Sequence, residues 1–144
     1  MAEVRAATPA DARAIGRIHA QVWRDRYRGL IEPGYLSSLT EARLAPRWRS
    51  AIDSAVEDRD RAIFVAASGG QVAGFLSMGA NRGPGADWEA EFEMLYVSRE
   101  ACRRGLGRAL MKAGADHAIR RGMFTGGLWV LRDNRLARAF YEAL

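Results

Sequence analysis

Apolar residues follow two periods along the chain. Ile15, Ile18, Val22 and Trp23 recur at the spacing of one helix face. Thr8-Pro9-Ala10-Asp11 precedes them as a helix start, with Thr8 as cap, Pro9 at the first helical position and Asp11 where a capping box wants an acid. This helix is expected to fade between residues 24 and 29, and Pro33-Gly34 to break the segment after it. Leu44, Trp48, Ile52 and Ala55 predict a second helix starting at Pro46. The pattern then changes. Residues 62–67 form a continuous apolar run, Gly69-Gly70 is a hairpin signal, and residues 71–78 supply the partner strand.

Residues 81–86 read as a loop. Residues 91–97 alternate, which places Glu91, Glu93, Leu95 and Val97 on one side and Phe92, Met94 and Tyr96 on the other. Leu106, Leu110, Ala113 and His117 share a helix face, and Gly122 fits its C-terminal stop. A short strand at 4–7, a fifth at 127–131 and a last helix at 134–144 complete the order β-α-α-β-β-β-α-β-α. The expected fold is α/β (α+β), one domain over residues 1–144. A mixed, mostly antiparallel sheet is flanked by helices, with a parallel crossover at its end.

Composition adds exclusions. Apolar residues make up 49% and charged residues 27%, an ordinary globular balance. No run approaches the roughly 20 apolar residues that cross a bilayer. Met1-Ala2-Glu3-Val4-Arg5 does not open a secretory leader. Cys102 is the single cysteine, and His19 and His117 are the only imidazoles, so neither an internal disulfide nor a metal centre is expected. A cytoplasmic bacterial protein with no membrane partner is the resulting expectation.

Charge is uneven. Through Ser98 the chain carries a net −1, and from Arg99 onward a net +6. The cations gather where Leu95-Tyr96-Val97 runs into Arg103-Arg104-Gly105-Leu106-Gly107-Arg108. A strand that ends in an Arg- and Gly-rich turn before a helix puts unpartnered N–H groups and the helix dipole beside fixed positive charge. Such a turn can cradle a pyrophosphate. It can equally be a basic turn that merely caps a helix. It matches neither a P-loop nor the dinucleotide fingerprint. Further on, Asn134, Ala137 and Tyr141 lie along one helical face.

With both stretches in view, the chain resembles the GCN5-related N-acetyltransferase (GNAT) family. The family's Gln/Arg-x-x-Gly-x-Gly/Ala motif falls on Cys102-Arg103-Arg104-Gly105-Leu106-Gly107, with Cys102 in place of the leading Gln/Arg. Its Asn-x-x-Ala-x-x-Phe-Tyr-Glu signature is matched at Asn134, Ala137, Phe140, Tyr141 and Glu142. The resemblance implies acetyl transfer from acetyl-CoA to a primary amine of a small molecule or peptide, by direct attack in a ternary complex and without a metal. It implies that backbone groups of Leu95, Tyr96 and Val97 meet the pantetheine arm. Arg103, Arg104, Gly105, Leu106, Gly107 and Arg108 would hold the pyrophosphate, and Asn134 joins the cofactor site. It makes Tyr141 the general acid, and Glu91, ranked ahead of Glu93, the general base. Trp23 and Tyr27, with Tyr35 nearby, fall where relatives build the acceptor pocket, although simple packing explains them as well. His117 is taken as structural, and His19 could flank the cleft.

Relatives usually continue with two more strands, so this chain is expected to be either incomplete at its C-terminus or a shortened member. A homodimer is one expected assembly. A non-catalytic acyl-CoA-binding domain is the alternative, motivated by Cys102 and the early end. A nucleic-acid-binding module ranks last, because the charge clusters at a glycine turn instead of spreading along a face.

Overall fold

The computed structural model describes residues 2–81, 88–102 and 104–128. The expected loop at 81–86, Arg103, most of the expected fifth strand and the last helix, with Asn134 and Tyr141, lie wholly or mostly outside the described residues.

Five strands form one sheet in the order β1 (Ala2–Ala6), β2 (Ala62–Ser68), β3 (Gln71–Ala80), β4 (Ala90–Val97) and β5 (Gly126–Leu128). The first four are antiparallel to their neighbours, and β4 pairs β5 in parallel. Gly69 and Gly70 close the β2–β3 hairpin with φ of 61° and 81°, the left-handed pair that a two-residue hairpin turn demands. One sheet face carries α1 (Ala12–Arg26) and α3 (Glu41–Ala55), with the short α2 (Pro33–Ser38) packed beside α1. The other face carries α4 (Leu106–Arg120).

The expected start at Thr8 and Pro9 is a single 3₁₀ turn over Pro9–Asp11, and α1 follows it from Ala12. The Asp11 carboxylate accepts the Thr8 N–H at 2.8 Å, and the Arg5 guanidinium grips it from β1 at 2.8 and 3.0 Å. The Arg5 hydrogen bond holds the Asp11 carboxyl below the usual carboxylate range, against burial, which pushes it up. Ile15, Ile18 and Val22 then pack against Leu44, Trp48 and Ile52 of α3. Gly16 allows that approach: a Cβ there would stand 3.0 Å from the Ala45 nitrogen. At the end of α4, Gly122 sits at φ 78°. Gly122 N–H bonds Ile119 O and Met123 N–H bonds Ala118 O, which satisfies two late carbonyls.

Three expectations change. Pro33-Gly34 does not break the segment: Pro33 opens α2, because Glu32 caps it by accepting the N–H groups of Gly34 and Tyr35. The α3 helix begins at Glu41 instead of Pro46, because the Thr40 hydroxyl accepts the Arg43 N–H; Pro46 therefore lies inside the helix.

The third change concerns β4. Ser77 pairs Met94 but Met78 pairs Phe92, so Glu93 is an extra residue in β4. The bulge inverts the alternation. Phe92 joins Leu95 and Val97 on the α4 face, whereas Met94 and Tyr96 face α1 and α3. The expected grouping of Phe92 with Met94 and Tyr96 is thus corrected, because a one-residue insertion moves every later side chain to the opposite face.

The β4–β5 pairing is closely fitted. Phe92 lies where a Gly126 Cβ would stand, at 2.8 Å, and the Trp88 ring fills the place of a Gly127 Cβ. Gly127→Ala is expected to force the indole aside and destabilise the protein by about 1–3 kcal/mol, the range for overpacked sites. Urea denaturation of the variant checks this, and wild-type stability would mean that Trp88 yields freely.

Candidate functional site

The bulge also decides where the β4 backbone points. Ala90 N–H bonds Thr125 O on the β5 side, whereas Ser98 N–H bonds Ala73 O on the β3 side at 2.7 Å. Successive amides in a strand alternate in direction. Val97 and Leu95 therefore present N–H and C=O away from β3, on the edge that β5 covers lower down. The Cys102 thiol, 3.7 Å from Val97 O, lies on that same edge.

The edge leads into the start of α4. Gly105 caps the helix at φ 80°, and a Cβ there would meet nothing within 4 Å. Ala109 N–H to Gly105 O is the first helical bond, so the amides of Leu106, Gly107 and Arg108 precede it. Arg104 and Arg108 are exposed beside them. Left-handed backbone, open space, leading amides and two exposed cations make this turn fit for an anionic group.

On the α1/α3 face, Glu91 lies opposite Gly79. Among the described residues its side chain makes no hydrogen bond or ion pair. Glu93 differs. Arg61 Nη2 donates to its Oε1 at 2.8 Å, Arg61 Nη1 to its Oε2 at 3.4 Å, and the Ser77 hydroxyl to Oε1 at 3.1 Å.

Above this face sits an aromatic group. Trp23 Nε1 donates to the Tyr96 hydroxyl at 2.7 Å, which ties α1 to β4. Trp48 Nε1 donates to His19 Nδ1 at 3.0 Å. The neutral His19 ring consequently carries its proton on Nε2. Its centroid is 5.8 Å from those of Trp23, Trp48 and Tyr96. Burial, and secondarily the charge of Arg47, lowers the His19 pKa to about 4.

The family model described as "Acetyltransferase (GNAT) family" matches residues 17–144. The chain belongs to this family. It is an acetyl-CoA-dependent N-acetyltransferase. The uncharacterized N-acetyltransferase YuaI of Bacillus subtilis is 31% identical over 144 residues, which cover 99% of this chain and 79% of that one. A Mycobacterium tuberculosis protein named a probable N-acetyltransferase is 26% identical over 140 residues, 96% of this chain and 76% of that one. Among solved structures, the PaiA N-acetyltransferase of Thermoplasma acidophilum, in complex with coenzyme A, superposes with a TM-score of 0.85 at 20% identity, covering 99% of this chain and 87% of that chain.

In this acetyltransferase the predicted residues fall at three places. Leu95, Val97, Arg104, Gly105, Leu106, Gly107 and Arg108 lie on or lead into the outer β4 edge, and the Leu95 and Leu106 side chains are core. Glu91 and Glu93 meet the sheet face beside the bulge. Tyr27 is buried with its ring 4.7 Å from that of half-buried Trp23, and Tyr96 turns its ring to the same aromatic group. His117 packs on Phe64 with Nε2 against Asp60 O, a structural position. Sequence reasoning did not find Arg61 or the His19–Trp48 bond. Neither has a local signal, since both join residues that are about 30 positions apart.

The buried His19 supplies a test. Its folded pKa lies below the ordinary 6.5, so the unfolded chain takes up the proton first as pH falls. The stability due to a neutral His19 is complete above pH 6.5 and is lost progressively toward pH 4. In His19→Gln, the loss of stability between pH 7 and 4.5 is expected to be smaller than in wild type by about 2 kcal/mol. Equal losses of stability in wild type and His19→Gln between the two pH values, measured by chemical denaturation, would show that His19 protonates without penalty.

Proposed function

We propose that this acetyltransferase moves the acetyl group of acetyl-CoA to a primary amine of a small molecule or peptide, by direct attack in a ternary complex. The bulge at Glu93 carries the reading. It turns the Leu95 and Val97 backbone outward along one edge, beside the face where Glu91 has no polar side-chain partner among the described residues.

Each end of the reaction has residues suited to it. The Leu95 and Val97 amides and carbonyls hydrogen-bond the pantetheine amides as a neighbouring strand would. The amides that begin α4, with Arg104, Arg108 and Arg103, hold the pyrophosphate. An outward N–H near Leu95 stabilises negative charge on the thioester oxygen. That the Thermoplasma protein of the same fold was solved in complex with coenzyme A supports coenzyme A as the ligand.

A primary amine is only about one part in a thousand neutral at pH 7, and attack needs the neutral form. Glu91 removes the ammonium proton. Glu93 is the weaker candidate, because Arg61 and Ser77 already occupy its oxygens. The nitrogen lone pair forms the C–N bond, the surplus proton on nitrogen passes to solvent, the C–S bond breaks, and Tyr141 gives its phenolic proton to the leaving thiolate and regains one from solvent. Trp23 and its aromatic neighbours form the acceptor wall.

Two measurements test the reading. Glu91→Gln is expected to lower turnover about 10²-fold at pH 7 and to recover at higher pH, where more amine is already neutral. An unchanged pH–rate profile would remove Glu91 as base. Gly105→Glu places bulk and negative charge in the anion turn, and is expected to abolish coenzyme A binding in calorimetry. Gly105→Asn, which tolerates the left-handed backbone, should keep binding within a few-fold. Full affinity in a folded Gly105→Glu protein would move the site elsewhere.

A further inference from the structure

Arg61 precedes β2, and its side chain lies across the sheet face that bears Glu91. Its Cγ is 3.1 Å and its Nη1 3.5 Å from the point where a Gly79 Cβ would stand. Any other residue at 79 would push the arm away. Gly79 is the partner of Glu91 in the β3–β4 ladder, so the guanidinium rests over the register position next to the proposed base. The head is fixed by Glu93 at 2.8 and 3.4 Å, and Nη2 lies 3.5 Å from the Ser77 hydroxyl. Ser77 is 2% exposed and donates to Glu93, so it holds the carboxylate from below. Arg61 is nonetheless 29% exposed on this face.

Two carboxylates at positions 91 and 93 would by themselves suit a dication. They are two residues apart on one strand, beside Gly79 and Ser77 of the neighbouring strand. Arg61 cancels one of them. We infer that Arg61 is a specificity-determining residue that restricts the acceptor to monocationic amines, by neutralising Glu93 and repelling a second ammonium group beside Glu91. The inference rests on amine acetylation as the reaction. It adds the charge class of the acceptor: one ammonium on an otherwise neutral or anionic body.

The experiment compares butylamine with 1,4-diaminobutane, each as acceptor with acetyl-CoA, by kcat/KM from thiol release. Wild type is expected to favour butylamine. Arg61→Gln should raise the diamine-to-monoamine ratio about tenfold, the scale of one partly solvated charge pair. Glu93→Gln leaves Arg61 uncompensated and should move the ratio in the opposite direction. Arg61→Lys should stay near the wild-type ratio. A misfolded variant lowers both substrates alike and cannot imitate opposite shifts, and Glu93→Gln tests the idea by itself if Arg61→Gln does not fold. A ratio that moves less than twofold in the folded variants, or moves the same way in both, overturns the role of Arg61 while amine transfer stands. Failure of wild type and variants to acetylate either amine overturns both readings.

Discussion

Opposite the paired Ser77 and Met78 of β3, β4 has to fit Phe92, Glu93 and Met94. One residue too many in that rung sets the geometry of the strand beyond it and of both cores. A strand has a period of two, so a single insertion reverses both the side-chain faces and the amide directions of every later residue. Below the bulge, β4 gives its outward amides to β5. Above it, Leu95 and Val97 present outward backbone on the way to α4. Without the extra residue, those two would turn their backbone toward β3, and Met94 and Tyr96 would exchange places with Leu95 and Val97 in the two cores.

The same insertion organises polar chemistry. A bulged residue is not matched in the ladder, so its side chain can be held by whatever lies beside it. Ser77, Arg61 and the bare Gly79 supply that hold for Glu93. Two glutamates that the alternation alone makes equivalent become different. One is fixed in an ion pair, and the other has no polar partner among the described residues. The difference is electrostatic in effect and steric in origin, since it depends on a glycine leaving room for an arginine arm.

The sequence made the helices and the hairpin legible because their causes are local. Thr8, Pro9 and Asp11 act within one turn, Gly69 and Gly70 within two residues, and Gly122 within the last turn of α4. The glycine turn at 105–107 was legible for the same reason. The start of α3 was misread because Pro46 was weighed as a first-turn signal while Thr40, the true cap, was passed over. The bulge was not legible, because β4 alone alternates regularly; the mismatch exists only in relation to β3. Arg61 was hidden for a similar reason: its partners come from two other strands. Local causes can be read from one segment, and pairing causes need the second strand.

This division explains why the two sides of the site differ in how they are built. The anion turn uses backbone geometry, which a short run of glycines can specify. The adjoining face uses side chains from α1, α3, β3, β4 and the residue before β2, each placed by long-range packing. Trp23 reaches Tyr96 across 73 positions, and His19 reaches Trp48 across 29. Side chains on this face, such as those around Arg61, can therefore be exchanged while the β4 edge stays intact. The backbone side has no comparable freedom: moving the bulge by one residue would reverse the Leu95–Val97 edge and the two cores together. The backbone edge is thus tied to the fold itself, while the side chains of the adjoining face are ones that the fold can exchange.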